Sequence, residues 1–105
     1  MSRLRIALAQ FNATVGDFAQ NVERIAGLMT EARALGADLV AFPEMAVTGY
    51  PPEDLLLRAS FLEDNRQALL ALQSASRGLT ALVGFVDRDT DLYNAAAVLH
   101  DGHWI

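Results

Sequence analysis

The sequence predicts an α/β fold with the element order β-α-β-α-β-β, a mixed sheet with helices packed on it. Three observations carry that reading. Short apolar runs with little alternation recur at residues 4–11, 38–42 and 80–86. The stretches between them repeat apolar residues at helical spacing. An Asp101-Gly102 pair then follows a fourth apolar run at 93–100, as in a two-residue hairpin.

Residues 4–11 form a nearly continuous apolar stretch, which suits a strand covered on both faces. Asp17 is a helix N-cap, and Gln20 three residues on completes a capping-box-like pair. Phe18, Val22, Ile25, Met29 and Ala32 follow at 4-3-4-3 spacing and so share one helix face. Gly36 is the natural terminator. A second strand at 38–42 is stopped by Pro43, which has no ladder N–H to donate.

Residues 45–52 read as a loop, and 53–57 as a short helical turn. Ser60 and Glu63 repeat the capping-box pattern and open a helix that Gly78 closes. Its buried stripe is Leu62, Leu69, Leu72 and Ala75, flanked by Phe61 and Ala68. Strands at 80–86 and 93–100 are joined by a polar loop at 87–92. Asp101-Gly102 then calls for a type I′ turn, with positive φ at both positions. Only His103, Trp104 and Ile105 remain for the returning strand. A domain seldom stops there, so the 105 residues are expected to be a fragment of a longer protein.

Composition narrows the function. The 105 residues are 52% hydrophobic, which excludes a disordered tail and makes one domain at most. Thirteen acidic against 8 basic side chains give a net charge of −5, which argues against nucleic acid or an anionic membrane as partner. Cysteine is absent, and all the basic residues are arginine. The chain therefore offers no Cys or Lys nucleophile and no thiolate metal ligand. The apolar run after Arg3 and Arg5 is too short for a signal peptide, and no stretch nears the ~20 apolar residues of a membrane span. A cytoplasmic protein is the expectation.

The sharpest chemical feature is Phe42-Pro43-Glu44. A carboxylate directly after a buried strand lies where open α/β sheets place their ligands, and half-sunk there it can serve as a general base. A solvated loop glutamate is the plainer alternative. Glu53 and Asp54 could pair with Glu44 as a carboxylate couple, but a helix N-terminus accounts for both. Asp87-Arg88-Asp89-Thr90-Asp91 starts like a calcium loop and then fails, with Leu92 in place of the glycine and Val98 in place of the glutamate. His100 and His103 lack the further ligands a metal needs and read as surface histidines. Tyr50 lies on the loop after Glu44, with an amphipathic ring that suits a pocket wall as well as loop packing.

Several strings together resemble the nitrilase, or carbon–nitrogen hydrolase, superfamily: Leu4-Arg5-Ile6-Ala7-Leu8-Ala9-Gln10, Asn21, Phe42-Pro43-Glu44, Gly49-Tyr50 and Tyr93-Asn94-Ala95-Ala96. The longer string from Gly49 to Arg58 resembles the glutaminase domains that accompany NAD⁺ synthetase domains. The resemblance implies an α-β-β-α sandwich of the nitrilase type, of which residues 1–105 would be the N-terminal half. It also implies a Glu–Lys–Cys catalytic set in which Glu44 is the base, with Tyr50 carried over as a wall of the glutamine pocket. The lysine and cysteine would lie beyond Ile105, leaving these residues inactive alone. Glutamine is the implied substrate, and ATP and Mg²⁺ would serve a synthetase domain elsewhere in a homo-oligomeric protein. A stand-alone amidase acting on a small amide, or a non-catalytic α/β interaction module, are the rival readings.

Overall fold

The computed structural model describes residues 2–105. Its strands are β1 (Ile6–Leu8), β2 (Leu39–Ala41), β3 (Thr80–Asp89), β4 (Asp91–His100) and β5 (His103–Trp104). Helix α1 spans Phe18–Ala34 and α2 spans Ala59–Ala71, with 3-10 turns at Glu53–Leu57 and Gln73–Ser76. The strands form one sheet in the order β1-β2-β3-β4-β5, parallel from β1 to β3 and antiparallel from β3 to β5. The expected β-α-β-α-β-β order is therefore present.

Helix α1 begins where its cap predicts. The Asp17 carboxylate accepts from the Gln20 backbone N–H at 3.1 Å, satisfying one of the unpaired first-turn donors. The Gln20 side chain turns to the Thr14 hydroxyl instead of closing the box. Gly36, at φ 78°, terminates the helix. Ile25, Met29 and Ala32 pack with Ala68, Leu69 and Leu72 of the second helical segment against Val40, Ala81, Val83, Ala97 and Leu99. Those strand residues alternate, so both helices cover a single face of the sheet.

The structure corrects four expectations. Strand β1 is not covered on both faces: Ala7 is half-buried, whereas Ile6 and Leu8 are 53% and 76% exposed. Successive side chains point to opposite faces, and among the described residues no layer lies on the outer one. Ser60 does not cap α2. The cap is Arg58, which makes no side-chain hydrogen bond, and the helix ends at Ala71 before a 3-10 turn, with Gly78 beyond it. The expected stripe holds at Phe61, Ala68, Leu69 and Leu72, but Asn65 joins it, and Leu62 and Ala75 are only half-buried. Residues 87–92 are not a loop but the end of a continuous β3–β4 hairpin, turning at Thr90 with φ 57°. Their polarity reflects exposure, not loss of pairing. The Asp89 side chain of the rejected calcium motif lies outside the described residues.

The last hairpin forms as read, with Asp101 at φ 48° and Gly102 at φ 91°. It is tied down from the helical side. Asp101 accepts from the Gly78 N–H at 3.0 Å, and the Trp104 N–H donates to Gln73 at 2.9 Å.

Candidate functional site

Beyond β2 the chain leaves the sheet by crossing its uncovered face. The Phe42 N–H still bonds to Leu82 in β3 at 2.9 Å, and Pro43 then ends the ladder. The turn at Pro43, Glu44 and Met45 lies directly on Gly84. A Cβ at Gly84 would come within 2.5 Å of the Pro43 carbonyl oxygen and 2.6 Å of the Met45 nitrogen. Ala96, the cross-strand neighbour of Gly84, is likewise small. Met45 adopts φ 50°, a conformation that costs a side-chain-bearing residue about 1–2 kcal/mol. The turn is thus held against a local preference by its neighbours.

Glu44 is exposed, not half-sunk as the sequence suggested, because this face of the sheet is open among the described residues. Its carboxylate is nonetheless held: the Asn94 side-chain amide of β4 donates to Oε1 of Glu44. Asn94 stands opposite Val86 in the β3–β4 ladder, two pairs along from Gly84 and Ala96 and so on the same face.

Two loops complete the site. The loop after Glu44 is closed by Gly49 N–H donating to the Met45 carbonyl at 2.9 Å and fastened to the sheet by Val47 N–H donating to Gly84 at 3.2 Å. The loop before α1 is fastened to it by the Gly16 N–H, which donates to Thr48 at 2.9 Å. Asn21, fully buried, joins both. Its amide donates to the carbonyls of Thr14 at 2.8 Å and Val47 at 3.0 Å, and its oxygen accepts from the Thr14 N–H at 2.9 Å. At Gly49 (φ 82°), a Cβ would fall 2.6 Å from the Val15 backbone, so only glycine lets the two loops meet.

Together these segments enclose a cavity of about 150 Å³ lined by Phe11, Asn12, Pro43, Glu44, Met45 and Tyr50. The structure therefore brings Glu44 and Tyr50 together. A carboxylate with one oxygen engaged by a neutral donor keeps the other for a proton, and Tyr50 presents an amphipathic ring beside it.

The remaining candidates fall elsewhere. Glu53 and Asp54 line a different cavity, with Val15, Pro51 and Arg58, so no couple with Glu44 is built. His100 faces His103 across the hairpin and meets the Thr80 hydroxyl at 2.8 Å. Among the described residues no group of three or more His, Cys, Asp or Glu side chains comes together. Sequence reasoning gave no role to Gly84, and used Asn21 and Asn94 only as points of resemblance. The available signal was a lone amide in the outward row Leu92, Asn94, Ala96, Val98.

Residues 5–105 match the family model described as carbon–nitrogen hydrolase. A glutamine-dependent NAD(+) synthetase of Thermotoga maritima is 50% identical over 104 residues, covering 97% of this chain and 18% of its own. The crystal structure of a glutamine-dependent NAD(+) synthetase from Cytophaga hutchinsonii superposes with a TM-score of 0.93 at 27% identity, over 98% of this chain and 18% of that one. An amidase from Nesterenkonia sp. shares the fold, with a TM-score of 0.86 at 24% identity over 97% of this chain and 40% of its own. The chain thus spans under a fifth of the length of the synthetases it matches.

Proposed function

The chain belongs to the carbon–nitrogen hydrolase family, and from that premise we propose that it contributes the general base of a glutaminase that feeds ammonia to an NAD⁺ synthetase. Its mixed sheet has the nitrilase-type fold. On this reading residues 1–105 are the N-terminal part of the glutaminase domain, and glutamine is the substrate. The ammonia amidates an adenylated deamido-NAD⁺ in a synthetase domain that binds ATP and Mg²⁺. Homo-oligomeric assembly and a cytoplasmic location belong to the same reading. No helix among the described residues is long and apolar enough to cross a membrane.

The observation that carries the proposal is the Glu44 carboxylate beside Tyr50 at a small cavity after a parallel strand. Chemistry supplies the rest. Glu44 takes the proton of a cysteine thiol as sulfur attacks the glutamine amide carbon, and delivers it to the departing ammonia. Glu44 next takes a proton from water as the oxygen attacks the thioester, and returns it to the sulfur, which leaves as the thiol as glutamate forms. A lysine and a backbone N–H stabilise the oxyanion, an effect of about 3–4 kcal/mol. The lysine and cysteine come from outside these 105 residues, which contain neither.

Glu44→Gln tests the assignment in the full-length protein, since it keeps shape and removes the basic oxygen. Glutamine-dependent synthesis falls by orders of magnitude while synthesis from added ammonia survives. Near-normal glutamine-dependent turnover would remove Glu44 from the mechanism.

A further inference from the structure

Glu44 sits on an exposed turn, and an unrestrained glutamate there would sample several rotamers. A general base needs one geometry. The β-sheet beneath the turn carries the restraint. Gly84 and Ala96 make a flat, side-chain-poor place for the turn to rest. Two ladder pairs further along, on the same face, Asn94 donates its amide N–H to Oε1 of Glu44.

The base of that contact is itself fixed. Past the end of β2, the backbone of β3 would lack partners on its open edge. Asn65 of α2, only 2% exposed, fills in: its amide donates to the Val86 carbonyl at 2.7 Å and its oxygen accepts from the Val86 N–H at 3.1 Å. Val86 is the residue paired with Asn94. Asn94 therefore projects from a strand whose partner, β3, is held on both sides at this level.

We propose that Asn94 is the positioning residue of the Glu44 base, resting on the reading of Glu44 given above. Its amide holds one carboxylate oxygen so that the other receives the proton from the nucleophile and returns it to the leaving group. An amide suits this task because it donates without carrying a charge or competing for the proton. Asn94 itself exchanges no proton with substrate. Its contribution is to the rate of the chemical step and not to glutamine affinity.

The test uses the full-length protein with Asn94→Leu, which keeps size and removes the donor, and Asn94→Asp, which sets a second carboxylate against the first. Asn94 is exposed, so both variants fold. Asn94→Leu lowers the glutamine-dependent kcat about 10–100-fold, with the KM for glutamine and the ammonia-dependent rate unchanged. Asn94→Asp loses at least as much. In a Glu44→Gln background Asn94→Leu causes no further loss, because the group it positions is gone. Unchanged kcat in both single variants overturns the proposal, as does an equal fall in the ammonia-dependent rate or the same factor lost again in the Glu44→Gln background. If Glu44→Gln abolishes glutamine use while both Asn94 variants leave kcat unchanged, only this inference fails. If Glu44→Gln itself retains turnover, the base assignment fails first.

Discussion

Gly84 and Pro43 are in such close contact that a single added methyl group would separate them. A Cβ on Gly84 would lie 2.5 Å from the Pro43 carbonyl oxygen, well inside van der Waals contact, and both atoms would belong to backbone that cannot rotate aside. The position of the candidate base is therefore set by what β3 lacks. Gly84→Ala is expected to destabilise the protein by about 1–3 kcal/mol and to lower glutamine-dependent turnover more than ammonia-dependent turnover. Thermal unfolding and the two rates, measured side by side, check this. Wild-type stability and rates in Gly84→Ala would show that the turn does not rest there.

Asn21 tests the coupling of the two loops. Asn21→Ala leaves the Thr14 N–H and the Thr14 and Val47 carbonyls without their side-chain partner. An unsatisfied buried polar group costs about 1–3 kcal/mol, so the melting temperature should fall markedly. Faster amide exchange at Thr14 and the residues around it is the accompanying signature. Asn21→Asp keeps the acceptor but sets a buried carboxylate oxygen against the Thr14 and Val47 carbonyls, and should cost at least as much as Asn21→Ala.

Tyr50 separates substrate binding from packing. It is 65% exposed, so its ring contributes little to the core. Tyr50→Ala is expected to leave thermal stability near wild type and to raise the KM for glutamine, with ammonia-driven synthesis unchanged. Tyr50→Phe should cost about 0.5–1.5 kcal/mol if the hydroxyl bonds the substrate. Lower stability in Tyr50→Ala with an intact glutamine KM would assign the ring to loop packing.

The uncovered face of the sheet should announce itself in solution. Leu4, Ile6 and Leu8 are 68%, 53% and 76% exposed at its β1 edge, and apolar surface beside an open strand edge promotes association. Expressed alone, the 105-residue chain is expected to self-associate in light scattering, and Ile6→Lys with Leu8→Lys should reduce it. A monodisperse monomer with one sharp unfolding transition would contradict this.

Local chemistry made much of this fold legible. Asp17 caps α1 and Gly36 ends it because both act on dihedrals and donors within a few residues. Asp101-Gly102 turns the last hairpin because positive φ is a property of those two residues. Pro43 has no N–H to give to a ladder, so Glu44 could be placed at a strand end from the sequence alone. Where tertiary contacts compete with local preference, the reading went astray. Ser60 has capping character but lies one residue inside a helix that starts at Ala59. The polar residues 87–92 look like a loop, yet the β3–β4 ladder runs through them.

By itself, then, the sequence determined the order of the elements, the turns that separate them and the candidacy of Glu44, since each follows from periodicity or from one residue's backbone preference. Only the tertiary structure decided which face of β1 is open, that Asn65 completes the edge of β3, that Asn21 clamps two loops and that Asn94 holds Glu44. Those pairings join residues 21, 26 and 50 positions apart. No local pattern encodes them, because an amide can donate to any acceptor within reach, and the fold alone selects which one that is.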